Sequence, residues 1–337
     1  MAPPSRDAAA RRAAAAPPEA RPGETSLTFR RILVPLDGSP TAEHALRHAT
    51  AIARSLGAEI RLLRVLEAHV PLPGPMLEAV DWRLLRLEAQ AYLDAIAAGL
   101  SAQGLEVAGT VVEGKAADEI VRHARDQQVD LVVVSAYGHG GATDFAAGGT
   151  VHKLLSLAPS SLLLVRPGGE GPPPQTPVEY RRILAPADGS AVAEWALCHA
   201  AALARAHGAE LLVLHVDRVR APAWDGLPPD PEELELTERL GKLRRRRALS
   251  YLERLQATLA SPDLRVRGRL AAAVRVAQAI LAVAGEEAVD LIALSAHGKD
   301  AAPNACGAIP NRLLARSPVP VLVFQDRPDH SRPGRRR

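Results

Sequence analysis

The stretch Arg31-Ile32-Leu33-Val34-Pro35-Leu36-Asp37-Gly38-Ser39 decides the fold, because the chain spells it again as Arg182-Ile183-Leu184-Ala185-Pro186-Ala187-Asp188-Gly189-Ser190. Downstream, the segment from Val129 to Gly138 returns as Val289 to Gly298. The first pair is offset by 151 residues and the second by 160, so the halves are two copies whose lengths differ by nine residues in between. Each segment is a short apolar run closed by turn residues, which reads as a buried strand followed by a loop. A repeat this long is a duplicated domain, since solenoid units recur every ~20–50 residues.

Outward from the first motif, the same reading carries through the whole copy. Residues 40–56 place Ala42, Ala45, Leu46, Ala49, Ile52 and Ala53 at helical spacing, and Gly57 stops that helix as a glycine just past the end does. Residues 59–66 read as a second strand. The spacing of Leu77, Val80, Leu84, Leu87, Ala91 and Ile96 predicts a long helix over 76–102 with these side chains inward. A third strand over 106–112, a helix over 116–128 and a fully buried strand over 130–135 follow. A glycine-rich loop, a helix from about Thr150 to Leu157 and a fifth strand over 161–165 complete the copy. The second copy repeats the order. Gly208 ends its first helix, residues 211–216 form its second strand, and Asp230-Pro231-Glu232-Glu233 opens its long helix with a cap, a proline and acids.

Alternating strands and helices predict an α/β protein: two tandem, flavodoxin-like or Rossmann-like, five-stranded parallel sheets with helices on both faces. The expected boundaries are a disordered tail at 1–27, domain 1 at 28–167, a Pro- and Gly-rich linker at 168–177, domain 2 at 178–326 and a basic disordered tail at 327–337. The copies are expected to pack as a pseudo-dimer through their fifth strands, Leu162 to Val165 and Val319 to Phe324, because an edge strand needs covering.

Composition narrows the function classes. Hydrophobic content is 47% with only 3% aromatic, so two cores built from Ala, Leu and Val are affordable in 337 residues. No apolar run has membrane-spanning length and no secretory signal is visible. The two cysteines, Cys198 and Cys306, have no metal or redox spacing and suit a reducing cytosol. Of the net charge of +3, residues 1–30 hold +2 and residues 327–337 hold +4, leaving the body at −3. That argues against a nucleic-acid-binding body. The Arg244 to Arg247 run follows Glu232, Glu233, Glu235 and Glu238 and reads as a solvated helix face.

In open α/β sheets a ligand sits at the carboxyl ends of the strands flanking the topological switch point. Here those are the first and fourth strands, whose loops the repeat marks. Asp37 follows the first. Gly138-His139-Gly140-Gly141 follows the fourth, and Gly148-Gly149-Thr150 leads into an apolar helix. Glycines let a phosphate approach the backbone, and N–H groups at a helix start point toward an anion. The pattern is neither a Walker A loop nor a dinucleotide fingerprint. His139, His152, His199, His215 and His297 form no metal-like cluster, and no Ser-His-Asp or paired-carboxylate arrangement stands out.

The strand with Asp-Gly-Ser, the Leu62-Leu63-Arg64-Val65 second strand and the glycine loop together resemble the universal stress protein family, in both copies. The ATP-binding branch of that family has a loop of the form G-x2-G-x9-G-[ST]. It maps onto Ser135, which replaces the first glycine, Gly138, and the Gly148-Gly149-Thr150 end, where the hydroxyl lies one place late. The resemblance implies that Asp37 and Val65 lie at the adenine-ribose part and that Pro35 belongs to the same binding set. Gly114, Ser135, Gly138, His139, Gly140, Gly141, Gly148, Gly149, Thr150 and Val151 complete the set, with Gly138 to Gly141 and Gly148 to Val151 on the phosphates. Copy two keeps Asp188, Val216, Gly298 and Gly307. Its loop is one residue short, holds Pro303, has no Ser or Thr after Gly307, and places Val274 where copy one has Gly114.

The resemblance therefore implies a cytoplasmic stress-response or regulatory protein. It would bind ATP or another adenine nucleotide, with or without Mg²⁺, mainly through the N-terminal copy and without fast turnover. An interaction module of the same fold with empty pockets and a slow nucleotide hydrolase are the alternatives. An unidentified protein partner, no nucleic acid, no membrane, and a monomeric pseudo-dimer or homodimer are the expected associations.

Overall fold

The computed structural model describes residues 29–67, 75–136, 150–166, 178–219, 230–298 and 306–325. The two tails and the linker expected at 1–27, 327–337 and 168–177 lie outside them. The first copy runs β1 (Arg31–Pro35), α1 (Pro40–Leu56), β2 (Glu59–Leu66), α2 (Pro75–Ser101), β3 (Val107–Glu113), α3 (Ala116–Asp126), β4 (Leu131–Ser135), α4 (Thr150–Leu157) and β5 (Ser161–Val165). The second runs β6 (Arg182–Pro186), α5 (Ala191–His207), β7 (Glu210–Arg218), α6 (Pro231–Leu259), β8 (Val266–Ala273), α7 (Val276–Glu286), β9 (Leu291–Ser295), α8 (Ala308–Arg316) and β10 (Val321–Phe324).

All ten strands join one sheet in the order β3-β2-β1-β4-β5-β10-β9-β6-β7-β8. Each half has the 3-2-1-4-5 order of Rossmann sheets rather than the 2-1-3-4-5 order of flavodoxin, and pairs in parallel throughout. The chain leaves β1 toward β2 and β3, then crosses back to place β4 on β1's other side. The carboxyl ends of β1 and β4 therefore lie side by side at one edge of the sheet.

The halves meet where expected. β5 and β10 pair antiparallel, with Leu162 opposite Val323, Leu163 opposite Leu322 and Leu164 opposite Val321. These side chains are almost fully buried. Across the junction, the Arg166 guanidinium donates to the carbonyls of Leu314 and Ala315 at the end of α8, at 2.9 and 2.6 Å. Gln325, at the corresponding place after β10, donates from Nε2 to the Leu155 carbonyl of α4 at 2.9 Å. On the opposite sheet face α1 meets α5. There His48 Nδ1 lies 2.7 Å from the Tyr180 hydroxyl, and Ser55 Oγ lies 3.0 Å from His207 Nε2.

Local chemistry explains the elements. Ser39 and Ser190 cap α1 and α5 by accepting the amides of Ala42 and Ala193, and Gly57 and Gly208 end those helices in the left-handed region. The continuous apolar strands β4 and β9 are covered on both faces. The long helix α2 corrects the expected phase. Ala89 and Leu93 are buried, with Trp82, Tyr92 and Ile96 packed against the same core, whereas Leu84 and Leu87 are 54% and 68% exposed and Ala91 is exposed. Only Ile96 of the readable stripe faces in. Side chains of Leu77 and Val80 lie outside the described set.

Candidate functional site

The Asp37 loop is built from its own side chains. Asp37 Oδ1 accepts the Ser39 amide at 2.9 Å and the Ser39 hydroxyl at 2.6 Å, and Ser39 Oγ in turn accepts the Ala42 amide. This network turns the chain out of β1 and starts α1, while fixing the carboxylate at the strand end. Gly38 adopts φ +78°, which an L side chain rarely tolerates. Copy two repeats the arrangement, with Asp188 Oδ1 accepting from Ser190 N and Oγ at 2.9 and 2.6 Å.

A basic side chain lies under the loop in both copies. Arg64, on β2, reaches the Leu36 carbonyl at 3.4 Å, and a methyl built on Gly38 would stand 3.1 Å from its Nη1. His215 takes the same place in copy two, with Nδ1 2.7 Å from the Ala187 carbonyl. Beside Arg64, the Tyr92 hydroxyl donates to Glu43 Oε1 at 2.9 Å. Burial, and then the neighbouring Glu43 carboxylate, hold the Tyr92 phenol above its usual range. Sequence reasoning did not assign Arg64, Glu43 or Tyr92. A signal existed: Glu43 and Tyr92 recur as Glu194 and Tyr251.

The structure brings some predicted residues together. Pro35 ends β1 and Ser135 ends β4, next to one another in the sheet. Val65 is half-buried in β2, opposite Val112, and packs against the core under α3 and α4. Thr150 opens α4 and is exposed, and Val151 packs on that core. Gly114 sits at φ +145° where β3 turns into α3, its amide bonded to the Leu66 carbonyl at 3.0 Å and Glu119 pressed against its open side. Gly138, His139, Gly140, Gly141, Gly148 and Gly149 lie outside the described residues.

Copy two shows how the two loops meet. A methyl built on Gly298, after β9, would stand 3.0 Å from Asp188 Oδ2, after β6. The carboxylate and the glycine loop thus share one crevice. Its anion-facing groups are partly spent, however. The Gly307 amide donates to the Ala296 carbonyl at 2.8 Å. Pro310, in the first turn of α8, has no N–H to offer. Val216 is half-buried in β7 and packs on the adjoining core. Val274 points largely to solvent, 57% exposed. Among the described residues no group of three metal-ligating side chains occurs, and no helix is long and apolar enough to cross a membrane.

These features agree with known proteins. The universal stress protein family matches residues 28–166 and again 179–325. A universal stress protein of Methanocaldococcus jannaschii is 27% identical over 140 residues, 41% of this chain and 82% of its own length. One from Thermus aquaticus is 34% identical over 140 residues, 41% of this chain and 99% of its own. Among solved structures, a universal stress protein from Archaeoglobus fulgidus superposes with a TM-score of 0.60 at 19% identity, over 88% of this chain and 97% of that one, a likeness of fold. With both halves matched and one fold repeated, the chain belongs to the universal stress protein family as a tandem, two-domain member.

Proposed function

We propose that this stress protein binds ATP or another adenine nucleotide, with or without Mg²⁺, in the crevice at the ends of β1 and β4, and that it acts in the cytoplasm as a nucleotide-responsive regulator rather than a fast enzyme. The observation that carries this is the approach of Asp188 to Gly298, which puts a carboxylate and a glycine loop on the two sides of one crevice. The repeat gives copy one the same pair, Asp37 and Gly138. In this reading Asp37 and Val65 hold the ribose and adenine, and the Gly138 to Gly141 and Gly148 to Val151 backbone holds the phosphates, at the start of α4 where N–H groups converge. Asp37 acts as a binding group, because Ser39 already donates twice to its Oδ1.

The N-terminal copy is the tight site. In copy two the Gly307 amide is bonded internally and Pro310 removes another donor from the helix start. A lost hydrogen bond to a charged group typically costs about 1.5–3 kcal/mol, roughly ten- to a hundred-fold in affinity. Calorimetric titration with ATP, ADP and AMP tests the reading. The expected result is one tight site per chain, weakened by Asp37→Ala and kept in Asp188→Ala. No heat and no thermal shift with any of the three would favour an interaction module. Steady product formation from saturating ATP and Mg²⁺ would favour a hydrolase.

A further inference from the structure

α6 has 29 residues, and its burial begins only near its middle. Ala248, Leu252, Leu255 and Leu259 lie on the core, whereas residues 234–240 and 242–247 are all exposed. At 1.5 Å per residue, about 25 Å of helix precedes Ala248. This segment carries its own apolar line. Leu236, Leu240 and Leu243 follow one another at i, i+4 and i+7 and are 58%, 49% and 42% exposed. At 100° per residue the line is turned about 120° from the buried one, so it is a second face rather than a continuation of the first.

Charge divides this segment lengthwise. The first turn holds Glu232 and Glu233, and the last turn before the core holds Arg244, Arg245, Arg246 and Arg247. Glu235 and Glu238 are engaged within the helix by Arg239 and Lys242, at 2.5 and 2.6 Å. Among the described residues the four arginines make no ion pair; Arg247 continues the leucine line, four residues after Leu243, and Arg244 lies beside it. Such a helix complements itself when reversed. With Leu240 on a two-fold axis, Leu243 of one copy meets the Leu236 end of the other, Arg247 comes over the Glu232-Glu233 turn, and Arg244 lies opposite Leu236, one turn short of those acids. A parallel partner would set arginine against arginine.

We propose that the outer face of α6 is a self-association surface, on which a second copy of this chain docks by antiparallel α6–α6 packing about Leu240. The interface is isologous and therefore closes as a two-fold dimer. It is separate from the β5–β10 junction inside each chain and from the nucleotide crevice.

Sedimentation velocity of the full chain across a concentration series tests this. The expected result is a reversible monomer–dimer equilibrium that weakens as salt rises from 0.05 to 0.5 M, with the two ends of each helix less attracted. Leu240→Glu should weaken dimerisation at least tenfold while leaving the circular dichroism and melting temperature unchanged. Arg244→Glu with Arg247→Glu, and separately Glu232→Lys with Glu233→Lys, should each give monomers. Mixing the two variants should restore a dimer, now mixed, because the acids introduced at positions 244 and 247 of one chain then face the lysines introduced at positions 232 and 233 of the other, while the unchanged ends still face opposite charge. A chain monomeric at all concentrations overturns the proposal. So does a dimer indifferent to these substitutions, or concentration-independent hydrogen-exchange protection of residues 232–247, which would mean that the chain covers this face itself.

Discussion

Gly109 has no side chain because α2 crosses the edge strand β3 there: a methyl on Gly109 would lie 2.9 Å from Leu93 Cβ, which is fully buried. Copy two uses the same device, with Gly268 beneath Gln256 and Leu252 of α6. The two sites differ in what would have to yield. At Gly109 the obstacle is the root of a core leucine, and at Gly268 the nearest atom is the end of a glutamine chain. Gly109→Ala should therefore destabilise the fold by about 1–3 kcal/mol, the usual cost of overpacking, and Gly268→Ala by distinctly less. Urea unfolding of both variants checks the order. On the proposed nucleotide reading, Gly138→Asp should weaken ATP binding without lowering the melting temperature, since it would set a carboxylate against the phosphates. Unchanged affinity in calorimetry would place the phosphates elsewhere.

Among the helices, α6 carries a Gly at 241 with nothing within 4 Å of where a methyl would go. Gly241→Ala should stabilise the chain by roughly 0.5–1 kcal/mol through helix propensity, read as a rise in denaturation midpoint. The long helices also show what a sequence can and cannot say. Strands such as β4 and β9, apolar throughout and closed by a turn, were legible because they are buried on both sides and need no choice of face. In α2 both faces carry apolar residues: Leu84, Leu87 and Ala91 on one, Ala89, Leu93 and Ile96 on the other. Periodicity gives the angle between such lines but not which one meets the sheet. The site divides likewise. Asp37 was legible because the repeat duplicates it within a strand-loop unit. Glu43 sits on α1, six residues after Asp37, but Arg64 and Tyr92 become neighbours of that loop only when β2 and α2 fold over it; the recurrence of Glu43 and Tyr92 in copy two marks the residues, and no local pattern encodes the closure that joins them.

At the scale of the molecule, acid should loosen the seam between the halves. Burial, and then nearby Arg47 and His44, lower the His48 pKa from 6.5 to about 4. His207 and His199, in the same seam, are also held below the ordinary value by burial. A histidine that resists protonation when folded contributes stability that is complete above its unfolded pKa and is lost as pH falls from 6.5 toward 4. For His48 the loss at pH 5 is about 2 kcal/mol. Chemical denaturation at pH 7.5 and 5.0 should show it, and His48→Gln should flatten the dependence. Equal stability at both pH values would contradict this account of the seam.

The seam is also unlike itself on its two sides. Phe29 in the first copy corresponds to Tyr180 in the second, and Arg166 to Gln325. Tyr180 meets His48, while Phe29 stacks on Phe324 at 6.3 Å. A dimer of identical subunits must write every contact twice with the same letters, and it falls apart on dilution. Joining the halves in one polypeptide removes both constraints. The junction becomes indifferent to mass action, and each side is at liberty to mutate on its own. That liberty extends to the crevices, where one copy can keep a ligand while the other drifts into scaffolding.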